Sequence, residues 1–224
     1  MGRLPLAAAY GVLLADAGVV RGLIGPREVP RLWERHLMNC ALLAQAIPAD
    51  ASVCDIGSGA GLPGVVVAIA RPDLDVTLVE PLLRRTTFLE EAVQALGLTN
   101  VSVVRGRAEE LAGGRRYDVV TSRAVAPLDR LLSWSMPLVV PSGAMVAMKG
   151  ASAREEIEEH RLTWRAMGCA EPEIVVVEEP GGSSTATLVR VAWADPEKVS
   201  SDLARRMSRP HRRRSSTPDR RRSR

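Results

Sequence analysis

The run Asp55-Ile56-Gly57-Ser58-Gly59-Ala60-Gly61-Leu62-Pro63-Gly64 is the strongest chemical signal in the chain. Glycines at alternate positions let a backbone turn tightly and approach a bound molecule with no Cβ in the way. Read literally, Gly59 to Gly64 satisfies the GxGxxG dinucleotide pattern, and Glu80 follows about 20 residues on, where an acidic side chain accepts ribose hydroxyls. Asp55 argues against a dinucleotide, because a pyrophosphate gains nothing from a carboxylate at its own turn. A cationic, phosphate-free cofactor tolerates one. S-adenosylmethionine fits, with its sulfonium and ammonium near the Asp55 turn and its ribose on Glu80. The expected cofactor contacts here are Asp55, Gly57, Gly59, Gly61 and Glu80, with a nicotinamide cofactor as the alternative.

Two later segments extend this site. Arg105-Gly106-Arg107-Ala108-Glu109 follows an expected third strand, where an acceptor or a backbone amide can contact the adenine edge. Asp118 to Pro127 follows a fourth, which puts Arg123 at the carboxyl edge of the sheet, where open α/β sheets bind ligands. The turn Ser122-Arg123-Ala124-Val125 is not the N/D-P-P-Y/F type used for exocyclic amino methylation. Of the three cysteines, Cys54 falls in the first strand, Cys40 in the N-terminal segment and Cys169 after a distal helix, so no thiolate is expected for pyrimidine C5 chemistry. Ribose methylation commonly uses two lysines, and only Lys149 and Lys198 exist. Guanine N7 remains, since its lone pair needs no deprotonation and orientation carries most of the catalysis. Arg123 and Lys149 are the candidate catalytic residues, each a donor for guanine O6 or a phosphate; salt bridges to Asp118 or Glu109 are their purely structural alternative.

Around these residues the pattern alternates. Residues 4–24 and 27–47 have helical spacing, with Leu32, Trp33, Leu37, Cys40, Leu43 and Ala44 on one apolar stripe and Gly25-Pro26 between them. Strands are expected at 51–56, 74–79, 101–105, 117–122 and 143–148, and helices at 64–70, 84–96, 127–138 and 152–167. That alternation means an α/β fold with a parallel sheet and crossover helices. Residues 173–178 and 185–193, joined through Pro180-Gly181-Gly182, read as a closing antiparallel hairpin. The expected organisation is a helical cap over 1–48, a Rossmann-like, mostly parallel seven-stranded domain over 49–195, and a basic tail without regular structure over 196–224.

Arg31, Arg35 and Asn39 lie at i, i+4 and i+8, a polar face suited to RNA. His36 stands between them with no carboxylate or metal ligand at suitable spacing, which favours packing or hydrogen bonding over general-base catalysis. No metal site is expected.

Composition sets the outer limits. The 224 residues, 46% hydrophobic and 25% charged, suit one globular domain with appendages. The net charge of +4 hides an asymmetry: residues 205–224 hold ten Arg against Asp219, so removing their +9 leaves −5 on the rest. The tail suits salt-sensitive, sequence-blind contact with RNA phosphates, while the body needs a local basic patch. Three unpaired cysteines favour a reducing cytoplasm. The apolar start, with Arg3 its one early cation, lacks a secretory cleavage site, and no apolar run reaches the roughly 20 residues that span a bilayer.

The motifs resemble those of the bacterial 16S ribosomal RNA guanine-N7 methyltransferases, also called glucose-inhibited division protein B. The likeness covers about 27–150 and rests on Arg35-His36-Leu37, the loop from Asp55 to Gly64, Gly106-Arg107-Ala108-Glu109, Ser122-Arg123-Ala124 and Lys149-Gly150. Asn39 departs from the acidic residue frequent there, and Arg84-Arg85 from a lysine-arginine pair. The resemblance implies a class I S-adenosylmethionine-dependent methyltransferase fold, with Gly57, Leu62, Ala108, Glu109 and Arg123 on the cofactor. It implies 7-methylguanosine in the decoding region of 16S ribosomal RNA as product, with an effect on streptomycin response. The partner is then the 30S subunit or an assembly intermediate, met by a monomer through Arg31, Arg35, His36, Arg84, Arg85 and Arg107. A nicotinamide-dependent oxidoreductase and a non-catalytic RNA-binding module are the rival readings.

Overall fold

The computed structural model describes residues 3–182 and 184–207, with the side chains of 204–207 left aside. Five strands, β1 (Ser52–Ile56), β2 (Asp75–Glu80), β3 (Val101–Arg105), β4 (Tyr117–Arg123) and β5 (Val139–Lys149), run parallel. β6 (Glu173–Glu178) and β7 (Thr185–Ala192) form the hairpin, and β7 pairs antiparallel with β5. The sheet order is β3-β2-β1-β4-β5-β7-β6. This is the expected α/β architecture, with the strand order reversing between β1 and β4, where such sheets open a crevice.

Neighbouring residues of each strand point to opposite faces and feed two cores. Val53, Val119, Ala144 and Leu188 join one cluster; Cys54, Val120, Met145 and Val189 join the other. The first face is covered by α3 (Gly64–Ala70) and α4 (Leu83–Ala95), the second by α5 (Leu128–Ser135), α6 (Ala153–Glu159) and α7 (Arg161–Ala166). The helix expected over 152–167 is thus broken at His160, and β5 begins four residues early. Its Gly143 lies against the Asp118 carbonyl, where the β4–β5 register shifts.

The N-terminal segment is wound less regularly than its spacing predicts. α1 (Leu4–Leu13) passes into a π-turn over Leu14–Gly18; then come a 3-10 turn (Pro26–Arg31), a π-helical stretch (Leu32–Met38), α2 (Asn39–Leu43) and a 3-10 turn (Ala44–Ala46). Pro30 removes a backbone donor inside the second of these. In the π-helical stretch Leu32 and Leu37, five apart, both face the core, and Trp33 is turned out of the expected apolar stripe to 40% exposure. Tyr10, Leu14, Leu37, Cys40 and Leu43 are buried in the same cluster as α3 and α4, so this segment completes the first core.

Arg71, at the end of α3, fastens that segment to the sheet. Its Nη1 donates to the carbonyls of Ala44 and Ile47 at 3.0 Å each, and its Nη2 to Pro48 O at 3.1 Å and Asp73 Oδ2 at 2.6 Å. At the far end the expectation of an irregular tail is corrected over part of its length. Pro196–Met207 forms α8, with Lys198 N capped by Asp195 Oδ1 at 2.9 Å; residues 208–224 lie outside the described residues. Arg71→Ala is expected to cost about 1–3 kcal/mol, because three carbonyls lose a charged donor, and urea unfolding measures it.

Candidate active site

The loop between β1 and α3 is held from three sides. Gly57 N and Ser58 N donate to Val79 O at 2.8 and 3.1 Å. Beneath it, Asp55 is fully buried, and its Oδ2 accepts from Gly64 N at 3.0 Å. Above it, Tyr10 Oη donates to Ala60 O at 2.5 Å. A Cβ on Gly61 would lie 2.7 Å from that Tyr10 oxygen, and one on Gly64 would lie 2.7 Å from Asp55 Oδ2 while striking Leu78. Gly57, Gly59 and Gly61 take φ of +68°, +57° and +94°, which glycine adopts freely. The glycine pattern therefore has two jobs. Gly59 alone of the four leaves room for a side chain, whereas Gly57, Gly61 and Gly64 admit Val125, Tyr10 and Asp55.

A cleft of about 630 Å³ lies over this loop, walled by Gly57, Gly59, Leu62, Glu80, Arg107 and Arg123 among others. Arg85, expected on an RNA surface, also lines it. Asp55 and Gly61 sit behind it, as just described, and Ala108 and Glu109 are likewise absent from its walls. Glu80 receives Gly59 N at 3.0 Å on Oε2 and Leu82 N at 3.1 Å on Oε1, with Arg85 Nη1 3.5 Å away.

A second cleft, of about 600 Å³, opens on the other side of Arg123-Ala124-Val125 and shares Glu28, His36 and those three residues with the first. Ala124 holds φ +53°, an uncommon conformation for a residue with a side chain. Lys149 stands in this second cleft, donating to Ala126 O at 3.0 Å and Glu156 Oε2 at 2.6 Å. Its partner is Glu156; Asp118, considered from sequence, instead accepts from Ser52 Oγ at 2.6 Å.

Arg123 is gripped by the N-terminal segment. Its Nη2 lies 2.5 Å from His36 Nδ1 and its Nη1 3.3 Å from Cys40 Sγ, while His36 Nε2 lies 2.9 Å from Glu28 Oε2. The guanidinium has only donors, so His36 Nδ1 accepts and Nε2 carries the proton donated to Glu28. Burial keeps this imidazole below its usual range despite the opposing pull of Glu28. The expectation that His36 has no carboxylate partner is corrected: a 3-10 turn and a π-turn bring Glu28 to it across eight residues. Cys40 is likewise nearer the cleft than its place in the sequence suggests, but burial pushes its thiol up to about 12. Among the described residues no group of three or more His, Cys, Asp or Glu is placed to hold a metal, and no helix is long and apolar enough to cross a membrane. Arg31 and Arg84 stand exposed outside both clefts; Arg35 lines the second.

Burial raises the Asp55 carboxyl to about 7, against the lowering effect of Gly64 N–H. A carboxyl raised on folding stabilises at low pH and loses that contribution as pH rises towards its folded value. Asp55→Asn, which keeps an oxygen for Gly64, is therefore expected to gain stability relative to wild type between about pH 4 and pH 7. Unfolding curves of both proteins across that interval measure the difference.

Comparison with known proteins identifies the family. The family model described as rRNA small subunit methyltransferase G matches residues 3–184. A protein of that name from Nocardioides sp. is 63% identical over 202 residues, covering 90% of this chain and 81% of its own. One from Thermobifida fusca is 57% identical over 191 residues, covering 84% and 79%. Among solved structures, the B. subtilis M1A22 tRNA methyltransferase TrmK superposes with TM-score 0.54 at 18% identity, over 74% of this chain and 68% of its own, a likeness of fold alone. The chain belongs to the rRNA small subunit methyltransferase G family.

Proposed function

We propose that the chain transfers the methyl group of S-adenosylmethionine to N7 of a guanine in the decoding-region loop of 16S ribosomal RNA. The observation that carries this reading is the pair of clefts meeting at Arg123-Ala124-Val125, one over the glycine loop and one beyond it, in a chain of this family. The cofactor supplies an electrophilic methyl group on a cationic sulfur. Two features of the first cleft fit it. The Glu80 carboxylate forms part of its wall, and Asp55 Oδ1, buried with no hydrogen-bond partner among the described residues, belongs to a carboxyl held near its titration point that a cation bound above the loop would draw into its charged form. Gly57, Gly59 and Leu62 bring backbone and one apolar side chain to the cofactor, Glu80 offers its remaining lone pairs to the ribose, and Ala108 and Glu109 approach the adenine from beyond β3.

The guanine belongs in the second cleft. Of the five N–H donors of Arg123, His36 and Cys40 engage two, and of the three on Lys149, Ala126 and Glu156 engage two. The donors left over orient guanine O6 or a neighbouring phosphate. His36 has both ring nitrogens occupied and Cys40 keeps its proton, so neither serves as a base or nucleophile. A reaction at N7 needs neither, because that nitrogen holds its lone pair ready and asks only for in-line orientation. Arg31, Arg35, Arg84, Arg85 and Arg107 supply cationic contacts to the surrounding RNA in a monomeric, cytoplasmic enzyme acting on the 30S subunit or its precursor, with consequences for streptomycin response.

Radiolabelled S-adenosylmethionine and 30S particles from cells lacking the modification provide the test. Label is expected in 7-methylguanosine of 16S RNA, and label in any other nucleoside overturns the N7 assignment. Arg123→Ala is expected to lower kcat by about 100-fold or more through loss of orientation. Gly59→Val, which puts a branched side chain at φ +57° on the cleft floor, is expected to abolish cofactor binding in calorimetry.

A further inference from the structure

We propose that a third groove, between the π-helical stretch and the tip of the β6–β7 hairpin, is a nucleotide subsite in which Trp33 stacks on one unpaired RNA base beside the methylated guanine. The proposal rests on the function proposed above and extends its substrate contacts. The groove measures about 730 Å³, with Trp33, Met38, Arg31 and Arg35 on the side of the cap and Ser184 and Thr185 on the hairpin. That is ample for one nucleotide. It shares Arg35 and Asn39 with the cleft that holds Arg123 and Lys149, so a strand whose guanine occupies that cleft continues into this groove.

Three observations point to a base. Trp33 is 40% exposed and belongs neither to the two cores nor to the hydrophobic residues packed against them. The π-helical winding that turns it outward is itself a costly local choice, and such turns gather at functional sites. Exposed arginines stand two residues to either side, a cation–aromatic–cation array that favours a polyanion carrying flat rings. Glu34 and Glu179 on the same walls keep the groove from being uniformly basic, which favours stacking and edge recognition over phosphate attraction alone. Unpaired RNA is the partner whose chemistry matches, since its bases are free to leave the helix and stack on aromatic and guanidinium planes.

The test uses the full chain with a protein-free RNA loop carrying the target guanine, and a matched set with an abasic residue at each flanking position in turn. Trp33→Ala is expected to raise KM and Kd for the loop by about 5- to 150-fold, and Trp33→Phe to restore most of that loss. The cofactor Kd of both variants is expected to equal that of wild type, which checks folding. One abasic position is expected to weaken wild type comparably while costing Trp33→Ala nothing more. Quenching of tryptophan fluorescence by the loop is expected in wild type and to be reduced in Trp33→Phe. A KM unchanged by Trp33→Ala overturns the subsite, as does a wild type that fails to bind the loop. A loss seen on 30S particles but not on free RNA also overturns it, and assigns the groove to a ribosomal protein. Binding is read without methyl transfer. A wild type that binds through Trp33 but forms no 7-methylguanosine therefore supports the subsite and overturns the proposed reaction.

Discussion

The buried contact between Asp55 and the amide of Gly64 is the constraint around which the site is built. A carboxylate taken wholly out of water is costly unless it is paired or keeps its proton. Here it receives one backbone donor and sits directly under the turn from β1 into α3. The closeness it demands removes the side chain at Gly64, and the tight turn above demands positive φ at Gly57, Gly59 and Gly61. Once the loop is pinned this way, its backbone and the Glu80 carboxylate are fixed relative to each other, with Gly59 N as the bond between them.

The same loop ties the N-terminal segment to the sheet. Tyr10 reaches Ala60, while His36 and Cys40 hold Arg123 from the other side. The first contact shapes the cleft over the glycine loop and the second the cleft beyond Arg123, so one layer of helices sets both. Gly57 joins them a third way: a Cβ there would lie 2.9 Å from Val125, which leaves the acceptor turn packed on the glycine loop with no room for adjustment. Methyl transfer in line needs donor and acceptor held at fixed separation, and this packing supplies that rigidity.

Much of this was legible in the sequence, for reasons particular residues make plain. The alternation of short apolar runs with amphipathic stretches revealed the sheet, and the spacing of Asp55 and the glycines revealed the loop, because both depend on local period. The sequence pattern also placed Arg31, Arg35 and Asn39 together, and they do line one groove. What escaped was set by winding and distance. The pairing of Glu28 with His36 spans eight residues through two kinds of non-α turn, whereas an α-helix would carry positions eight apart about 12 Å along its axis. The same winding put Trp33 outside the stripe assigned to it. Tyr10 is fifty residues from its partner carbonyl, and no local pattern announces such a contact. The sequence assigns Asp55 and Gly61 to the cofactor, yet both sit behind the cleft, because a pattern of residue types does not say which side of the loop each will serve.

The charges around the acceptor cleft carry a final implication for the chemistry. Arg123 and Lys149 both face it, and two bare cations there would oppose a product ring that becomes positively charged on N7. Each is compensated close by. Lys149 is bonded to Glu156 at 2.6 Å, and Arg123 reaches Glu28 through the neutral ring of His36. Arg35, on the same wall, adds a third cation and shares Glu28 at 3.3 Å, so the side chains of the cleft carry three positive and two negative charges. In the proposed reaction these donors would orient the base by hydrogen bonds, while Glu156, in direct contact with Lys149, and Glu28, behind the His36 ring, offset part of their repulsion of the cationic product.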